Sequence, residues 1–209
     1  MSVLEDIQSI RERDPAAPTF MEVVFAYNGF HAVLIHRLSH AIWGLGLKAL
    51  ARFLANFARI LTGIEIHPEA QIGKRFFIDH GTGVVIGQTA IIGDDVTIYH
   101  GVTLGGFGRK GQEGGKRHPT LEDGSMVGAG AQVLGDLTVG KGAKVGANSV
   151  LTDNVPDGCT AIGMPARVIS KDEKTQRAYG MPARAKLDEL GKVIDELQKD
   201  IDAIKGAGI

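Results

Sequence analysis

The stretch that decides the fold begins as IHPEAQIGKRFFIDHGTGVVIGQTAIIGDDVTIYHGVTL at residues 66–104 and resumes, after an interruption, at residues 121–156. In both parts an aliphatic residue returns every six positions, and a small or apolar residue follows it four places later. An α-helix has a period of about 3.6 residues and an ordinary strand a period of about 2, so neither produces this pattern. The pairs that fit it, with one two-residue slip before Ile86, are Ile66/Ala70, Ile72/Phe76, Ile78/Thr82, Ile86/Ala90, Ile92/Val96, Ile98/Val102, Leu121/Ser125, Val127/Ala131, Val133/Leu137, Val139/Ala143, Val145/Ser149 and Leu151/Val155.

A period of six is typical of a solenoid in which each unit is one short strand and one turn, and three units close a triangular coil. We therefore predict an α+β protein with an N-terminal helical domain (residues 1–62) and a parallel β-helix of hexapeptide repeats (residues 63–169). A loop excursion at residues 105–120 should protrude from the β-helix, and residues 170–209 should form a linker, a helix and a tail. The left hand of the β-helix is taken from resemblance to other hexapeptide proteins, since parallel crossovers are usually right-handed.

The bulk composition excludes several classes of protein. The 209 residues carry a formal net charge of −1, and no block of like charge suggests a nucleic-acid partner. The one cysteine, Cys159, cannot form an intrachain disulfide and fits a reducing compartment. The chain begins without a signal-peptide pattern and contains no apolar run of about 18 residues. We therefore expect a cytoplasmic protein without a membrane partner.

The segment before the repeat has helical periodicity. Val3–Arg13 is one predicted helix, and Asp14-Pro15 ends it because proline disfavours helix in the residue before it. Thr19 and Glu22 have the spacing of a capping box at the start of the next helix. The helical pattern continues to about residue 61 with two glycine-containing breaks, which predicts two or three further packed helices.

His36 and His40 in this segment are four residues apart, so they share a helix face and could bind a metal ion. No HExxH signature and no nearby acidic ligand accompany them, so we expect packing or surface histidines. We predict no metal in the protein.

The interruption of the repeat, GGFGRKGQEGGKRHPT at residues 105–120, is glycine-rich and basic. It has no apolar period, so it must leave the coil as a loop, and loops on one face of a repeat protein are frequent binding sites. Arg117 and His118 lie where the chain returns to the coil, which should hold them close to the rigid body. The alternative is a solvated loop without a role.

His80 and His100 occupy equivalent places in adjacent coils. One coil is 18 residues, and the two-residue slip makes 20, which is their separation. We therefore expect both side chains on the same edge of the solenoid, with His100 as a plain surface histidine. The γ-type carbonic anhydrases hold zinc on this fold with three histidines, two of them close in sequence, and His80, His100 and His118 lack that short pairing.

Several motifs together resemble serine O-acetyltransferases over roughly residues 10–170. The hexapeptide repeats and GMPAR (163–167) are shared by many acyltransferases, whereas the combination of five others is specific. The resemblance implies an enzyme that transfers acetyl from acetyl-CoA to the hydroxyl of L-serine, giving O-acetyl-L-serine and CoA, the first step of cysteine biosynthesis. The five motifs are RDP (13–15), GFHA (29–32), IDHGTG (78–83), GVTLGG (101–106) and KRHP (116–119).

The resemblance implies specific roles in catalysis. A serine hydroxyl is a weak nucleophile, so a base must take its proton, and histidine titrates in the right range. By resemblance His80 is that base, Glu65 orients its imidazole, and His118 helps to position the substrate and assists the base. Some relatives have aspartate in place of Glu65, so its geometry is less closely defined than its charge.

Serine is a zwitterion and needs both signs of charge in its site. By resemblance Arg117 binds the carboxylate through two parallel hydrogen bonds, while Asp79 and Asp14 receive the ammonium. Asp14 is far from the solenoid in sequence, so the helices must fold back over a coil edge of the same or a neighbouring subunit. The alternative for Asp14 is a helix-end cap.

The resemblance also implies an acetyl-CoA site. Gly105, Gly106, Ala129 and Ala147 match positions that line the pantetheine arm, and Lys144 matches a phosphate contact. Small residues at these places also follow from the repeat itself. Gln88 departs from the family pattern, because many relatives have glutamate there.

The C-terminal region predicts contacts between chains. An a/d seam suggests a short coiled coil in a homotrimer or a dimer of trimers, or a helix that packs on its own subunit. In the family a C-terminal isoleucine docks on O-acetylserine sulfhydrylase, and Ile209 matches it. L-Cysteine is a probable feedback inhibitor by resemblance. The seam consists of Leu187, Leu190, Ile194, Leu197, Ile201 and Ile204.

Two other functions remain open at this point. A hexapeptide O-acetyltransferase that acts on a sugar or a xenobiotic would not require Asp14, Asp79 and Arg117, which suit an amino acid zwitterion. A weakly active regulatory subunit that docks through Ile209 would not require both His80 and His118.

Overall fold

The computed structural model describes residues 3–16, 18–107, 115–169 and 198. The chain divides into two compact units, Met1–Glu173 and Lys174–Ile209, and of the second only Gln198 is described, in a helix. The centre of the loop excursion, the coiled-coil seam and Ile209 therefore lie outside the described residues. The domain boundaries that we predicted from sequence stay predictions.

In the described part of the chain four helices precede the solenoid: α1 (Val3–Arg13), α2 (Phe20–Ala26), α3 (Asn28–Gly44) and α4 (Lys48–Thr62). The predicted capping box is confirmed at α2, where Glu22 N donates to Thr19 Oγ1 (3.2 Å) and Thr19 N to the Glu22 carboxylate (2.6 Å). No helix among the described residues is long and apolar enough to cross a membrane.

Fifteen short strands follow in the described residues, and their arrangement on three faces confirms the triangular coil. Face A contains β1 (Glu65–Ile66), β4 (Val85–Ile86), β7 (Thr103–Gly105), β10 (Gln132–Leu134) and β13 (Val150–Leu151). Face B contains β2 (Gln71–Ile72), β5 (Ile91–Ile92), β8 (Thr120–Leu121) and β11 (Thr138–Val139). Face C contains β3 (Phe77–Asp79), β6 (Thr97–Tyr99), β9 (Met126–Val127), β12 (Lys144–Val145), β14 (Thr160–Gly163) and β15 (Ala166–Ile169).

Two edges of the prism matter for function. The C–A edge consists of the turns from face C to face A, at residues 80–84, 100–102, 128–131 and 146–149. The A–B edge consists of the turns from face A to face B, at residues 67–70, 87–90, 106–107 with 115–119, and 135–137. The described ends of the loop excursion belong to the A–B edge, with Gly105 in β7 and Thr120 in β8.

The aliphatic residues of the period fill the coil interior, as predicted. Ile78, Ile98 and Val127 stack on successive turns of face C, and each is at most 1% exposed. Burial of one such side chain contributes about 1.5–3 kcal/mol, so the repeat explains both the shape and the stability of the solenoid.

The solenoid ends in a way that the period does not predict. Strands β14 and β15 pair antiparallel, with Ala161 opposite Val168. This hairpin adds to face C after the last hexapeptide turn, and an antiparallel partner satisfies backbone groups that an open strand would expose.

Helices α1 and α3 pack against β3 of face C, and α3 and α4 pack against β1 of face A of the same chain. Gly29 of α3 lies so close to β3 that a Cβ there would stand 2.1 Å from Ile78 O. The Arg13 guanidinium donates to Asp95 O (3.0 Å) and Thr97 Oγ1 (3.0 Å) and lies 5.5 Å from the centre of the Phe77 ring. The prediction that the helices fold back over the coil is confirmed, and Asp14 is held beside β3.

Candidate active site on two edges of the solenoid

His80 lies on the C–A edge with its side chain 75% exposed. Its φ of 59° is in the left-handed region, and Gly81 N closes the turn by donating to Asp79 O (2.7 Å). The His80 and His100 ring centres are 5.8 Å apart in an edge-to-face arrangement, which confirms that the two histidines share an edge. The imidazole of His80 is therefore presented to solvent.

Glu65 begins β1 on face A. Its carboxylate is 48% exposed, and Oε2 lies 3.9 Å from Arg59 Nε. Within the described residues no hydrogen bond joins Glu65 to His80, and the nearest acid recorded for the ring is Asp79, with 3.9 Å between His80 Nε2 and Asp79 Oδ1. The orienting role of Glu65 stays a prediction.

Asp14 follows α1 and is held by two donors. Its Oδ1 accepts from Ala16 N (2.8 Å), which forms a local turn, and its Oδ2 accepts from the Tyr27 hydroxyl (2.5 Å). Burial, the bond to Asp14 and the charges of Asp14 and Asp79 raise the pKa of Tyr27 well above its usual range. Both acids predicted for the ammonium thus act on one tyrosine, which the sequence analysis did not identify.

His118 lies on the A–B edge and is 7% exposed. Thr89 N (3.2 Å) and Thr89 Oγ1 (2.9 Å) both contact its Nδ1, and Thr89 Oγ1 also accepts from the backbone N–H groups of Arg117 (3.0 Å) and His118 (3.1 Å). Because Thr89 N can only donate, Nδ1 is the acceptor, and we infer that Nε2 carries the proton of the neutral ring. Burial, followed by the charges of Arg117 and Lys116, lowers the pKa of His118.

Two glycines make room for this ring. A Cβ on Gly87 would stand 2.0 Å from His118 Cδ2, and a Cβ on Gly106 would stand 3.1 Å from His118 Nε2. No side chain fits at Gly87 while His118 keeps its place. The sequence analysis did not identify Gly87 and Thr89 as site residues, although they directly flank Gln88, which departs from the family pattern.

Arg117 is exposed and is oriented by a hydrogen-bonded chain. Its Nη2 donates to Gln88 Oε1 (3.0 Å), and Gln88 Nε2 donates to Glu69 Oε2 (2.7 Å). The bond to Glu69 fixes which end of the amide faces Arg117. The guanidinium is therefore positioned by a neutral amide, which does not compete with an anionic ligand as a carboxylate would.

The residues predicted for CoA divide between the edges. Ala129 and Ala147 lie in successive turns of the C–A edge, where Asn148 N donates to Ala129 O (2.8 Å). Gly105 and Gly106 lie at the A–B edge, and Lys144 is exposed on β12. Ala129 and Ala147 thus share the C–A edge with His80. Gly105 and Gly106 lie at the A–B edge with His118.

The two edges bound face A and cannot meet within one chain. Strand β4 separates the turn that contains His80 from the turn that contacts His118. From residue 84 to residue 87 the chain takes three steps of about 3.3 Å, which span on the order of 10 Å. The width of face A therefore separates His80 from His118 of the same chain.

The helical histidines behave as packing residues, as expected. His36 is 4% exposed, and burial, followed by the proximity of His40, lowers its pKa to about 3. His40 Nδ1 lies 2.7 Å from Pro68 O. In the part of the chain that the structure describes, no group of three potential metal ligands is present.

Comparisons with known proteins identify the family and the fold. The family model described as bacterial transferase hexapeptide (six repeats) matches residues 118–153, so the solenoid is that of a hexapeptide-repeat transferase. The model described as serine acetyltransferase, N-terminal, matches residues 1–34. A serine acetyltransferase of Mycobacterium tuberculosis is 51% identical over 204 residues, which cover 97% of this chain and 86% of the relative. The chain belongs to the serine acetyltransferase family.

Solved structures of the family share the fold. A serine acetyltransferase of Brucella abortus in complex with coenzyme A has a TM-score of 0.76 and 43% identity, covering 80% of this chain and 66% of that one. A serine acetyltransferase in complex with cysteine has a TM-score of 0.77 and 45% identity, covering 80% of this chain and 68% of that one. These solved chains are longer than the part that this chain matches.

Proposed function

We propose that this protein transfers an acetyl group from acetyl-CoA to the hydroxyl of L-serine, giving O-acetyl-L-serine and CoA, the first step of cysteine biosynthesis. The site is formed by the C–A edge of one copy and the A–B edge of the next. The observation that carries this proposal is the division of the candidate residues. His80 lies on the C–A edge directly after Asp79 of β3, with Asp14 in the segment that follows α1, whereas Arg117 and His118 lie on the A–B edge.

The reaction begins at His80. Its imidazole takes the proton of the serine hydroxyl as the oxygen attacks the thioester carbonyl carbon and forms the new C–O bond. The tetrahedral intermediate then breaks its C–S bond, and the protonated His80 returns the proton to the departing thiolate. Glu65 orients the ring and stabilises its charged form, in the manner of the acid in hydrolase triads. The exposure of His80 supports this role, because the ring must meet both substrates.

The two ends of serine bind to different copies. Asp14 and Asp79 receive the ammonium, and Arg117 of the neighbouring copy binds the carboxylate. His118 offers its Nε2–H to the substrate, since Nδ1 is already used as an acceptor for Thr89. A neutral donor at this place positions the hydroxyl without competing with Arg117 for the carboxylate.

Acetyl-CoA lies along the cleft between the same two edges. Gly105 and Gly106 of one copy and Ala129 and Ala147 of the other leave backbone groups accessible to the pantetheine arm, and Lys144 meets a phosphate. L-Cysteine fits the serine site because its thiol replaces the hydroxyl, and the complex of a family member with cysteine supports it as a feedback inhibitor.

The assembly and the partners complete the proposal. Three copies close a ring in which each C–A edge meets one A–B edge, and two such trimers can pair. Ile209 docks on O-acetylserine sulfhydrylase, and the protein acts in the cytoplasm.

A thiol-release assay tests the proposed function. Purified protein is given acetyl-CoA with L-serine, L-homoserine or a panel of sugars. We expect CoA release with L-serine, weaker release with L-homoserine and none with the sugars. Absence of release with L-serine would overturn the proposal, and release with a sugar alone would favour a sugar acetyltransferase.

A further inference from the structure

Tyr27 occupies the junction between α2 and α3. Its φ of −92° and ψ of 99° lie outside the helical range, so it ends one helix and directly precedes the next. Its ring packs against a small apolar cluster between the helices and face C, and its hydroxyl points to the Asp14 carboxylate. The buried members of that cluster are Ile7, Ile10, Val23, Phe30 and Phe77.

Strand β3 places Asp79 next to this cluster. Phe77 and Asp79 are two residues apart on one strand, so their side chains stand on the same face. Phe77 is 3% exposed in the cluster against which Tyr27 packs, and the Asp79 side chain, 19% exposed, follows at the edge of that cluster. Tyr27 thus donates to one of the two acids that the proposed function assigns to the substrate ammonium, and the charge of the other acid acts on its hydroxyl.

The hydrogen bonds of Asp14 leave room for a ligand. Each of its carboxylate oxygens accepts one bond inside the protein, from Ala16 N and from the Tyr27 hydroxyl. A carboxylate has about four acceptor positions, so about two remain for the N–H groups of an ammonium. A donor on each oxygen also fixes the plane of the carboxylate. Without these two bonds, the Asp14 side chain could rotate on the short connection between α1 and α2.

We propose that Tyr27 is a positioning residue of the ammonium subsite: its hydroxyl holds the Asp14 carboxylate facing Asp79, so that the two acids receive one primary ammonium group together. Tyr27 stays a donor because burial and the neighbouring acids raise its pKa above its usual range. The inference rests on the proposed function and adds the reason why the site selects for an amino group.

The test is Tyr27→Phe, which removes only the hydroxyl and keeps the packed ring. Loss of a hydrogen bond to a charged group should raise the KM for L-serine about tenfold. The kcat and the KM for acetyl-CoA should change less than about twofold. 3-Hydroxypropanoate has the hydroxyl and carboxylate of serine but no ammonium, so its inhibition constant should be the same for the variant and the natural protein.

A double-mutant cycle separates positioning from folding. Asp14→Asn removes the charge on which Tyr27 acts, so adding Tyr27→Phe to it should raise the serine KM less than about twofold further. A merely structural role would lower the unfolding midpoint and weaken serine and 3-hydroxypropanoate alike. Tyr27→Met, which also lacks the hydroxyl, replaces Tyr27→Phe if the latter does not fold.

The outcomes are distinct. An unchanged serine KM in Tyr27→Phe, an equal loss for 3-hydroxypropanoate, or additive effects in the cycle would each overturn the inference while the proposed function stands. Absence of CoA release by the natural protein with L-serine would overturn the proposed function and this inference with it.

Discussion

The A–B edge and the C–A edge of the solenoid each carry one histidine of the proposed site. The two histidines differ in their burial and in their contacts within the chain. His118 is 7% exposed, and Thr89 contacts its Nδ1 through both its N–H and its hydroxyl. The His80 side chain is 75% exposed. Its ring packs edge-to-face with that of His100, and its Nε2 lies 3.9 Å from Asp79 Oδ1.

This difference indicates a division of labour. A side chain that is buried and hydrogen-bonded keeps one orientation and one protonation state, which suits the positioning of a substrate. A side chain that is open to solvent can gain and lose a proton and meet two substrates in turn, which suits a general base. In the proposed function the C–A edge thus supplies the chemistry, and the A–B edge supplies a rigid wall that completes the site.

The largest effect is expected from His80→Ala. Loss of a general base typically lowers the rate about 10²- to 10⁴-fold, so kcat should fall by that order. Because the side chain is exposed, the unfolding midpoint in urea should stay close to that of the natural protein. Turnover within about tenfold of normal would show that His80 is not the base.

A second substitution tests the A–B edge. Thr89→Val keeps the shape of the side chain but removes the oxygen that contacts Arg117 N, His118 N and His118 Nδ1. Donors that lose their partners cost about 1–3 kcal/mol, so both the stability and kcat/KM for serine should drop, the latter about tenfold.

The matched control for this variant is Thr152→Val. The Thr152 hydroxyl makes an exposed bond of 3.3 Å to Asp153, in the turn after β13 and three coils beyond the turn that contains Thr89. Thr152→Val should leave the stability and kcat/KM for serine nearly unchanged. An equal loss in Thr89→Val and Thr152→Val would argue against a specific role of Thr89.

Gln88→Glu should have a smaller effect. The new carboxylate would face Glu69 where the amide now donates at 2.7 Å, and it would pair with Arg117 and compete with the substrate carboxylate. An exposed ion pair is worth about 0.2–1 kcal/mol, so we expect the serine KM to rise about two- to fivefold at constant kcat. Gln71→Glu, which adds the same charge on face B, is the control and should change neither value.

The smallest effect concerns acid stability of the A–B edge. Burial, followed by the charge of Arg52, lowers the pKa of His67 to about 4. The unfolded chain therefore takes up this proton at a higher pH than the folded chain, and the stabilisation is present above about pH 6.5 and lost as the pH falls toward 4. Urea unfolding at several pH values should show a shallower decline for His67→Gln than for the natural protein. Identical slopes would contradict the assignment.

The parts of this fold that repeat were predictable from sequence. The six-residue period predicted the three-faced coil, and the count of 20 residues predicted that His80 and His100 share an edge. The capping box at Thr19 was equally accessible, because all its bonds join residues three apart. Each of these features depends on local spacing alone.

The parts that depend on contacts between distant segments were not predictable. Tyr27 reaches Asp14 only because α2 and α3 turn over face C, and Thr89 holds His118 across 29 positions of sequence. Neither residue carries a titratable carboxylate or imidazole that would have marked it. The hairpin of β14 and β15 lies beyond the last hexapeptide, where the period no longer applies.

The central claim is that one site takes residues from two copies, and subunit mixing tests it most directly. His80→Ala and His118→Ala are each purified alone and also co-expressed with separate affinity tags, so that mixed assemblies can be isolated. Each mixed trimer contains one site with both histidines, so unselected random assembly should restore about a quarter of the activity of the natural protein. Mixed trimers with no more activity than the two variants alone would contradict the account.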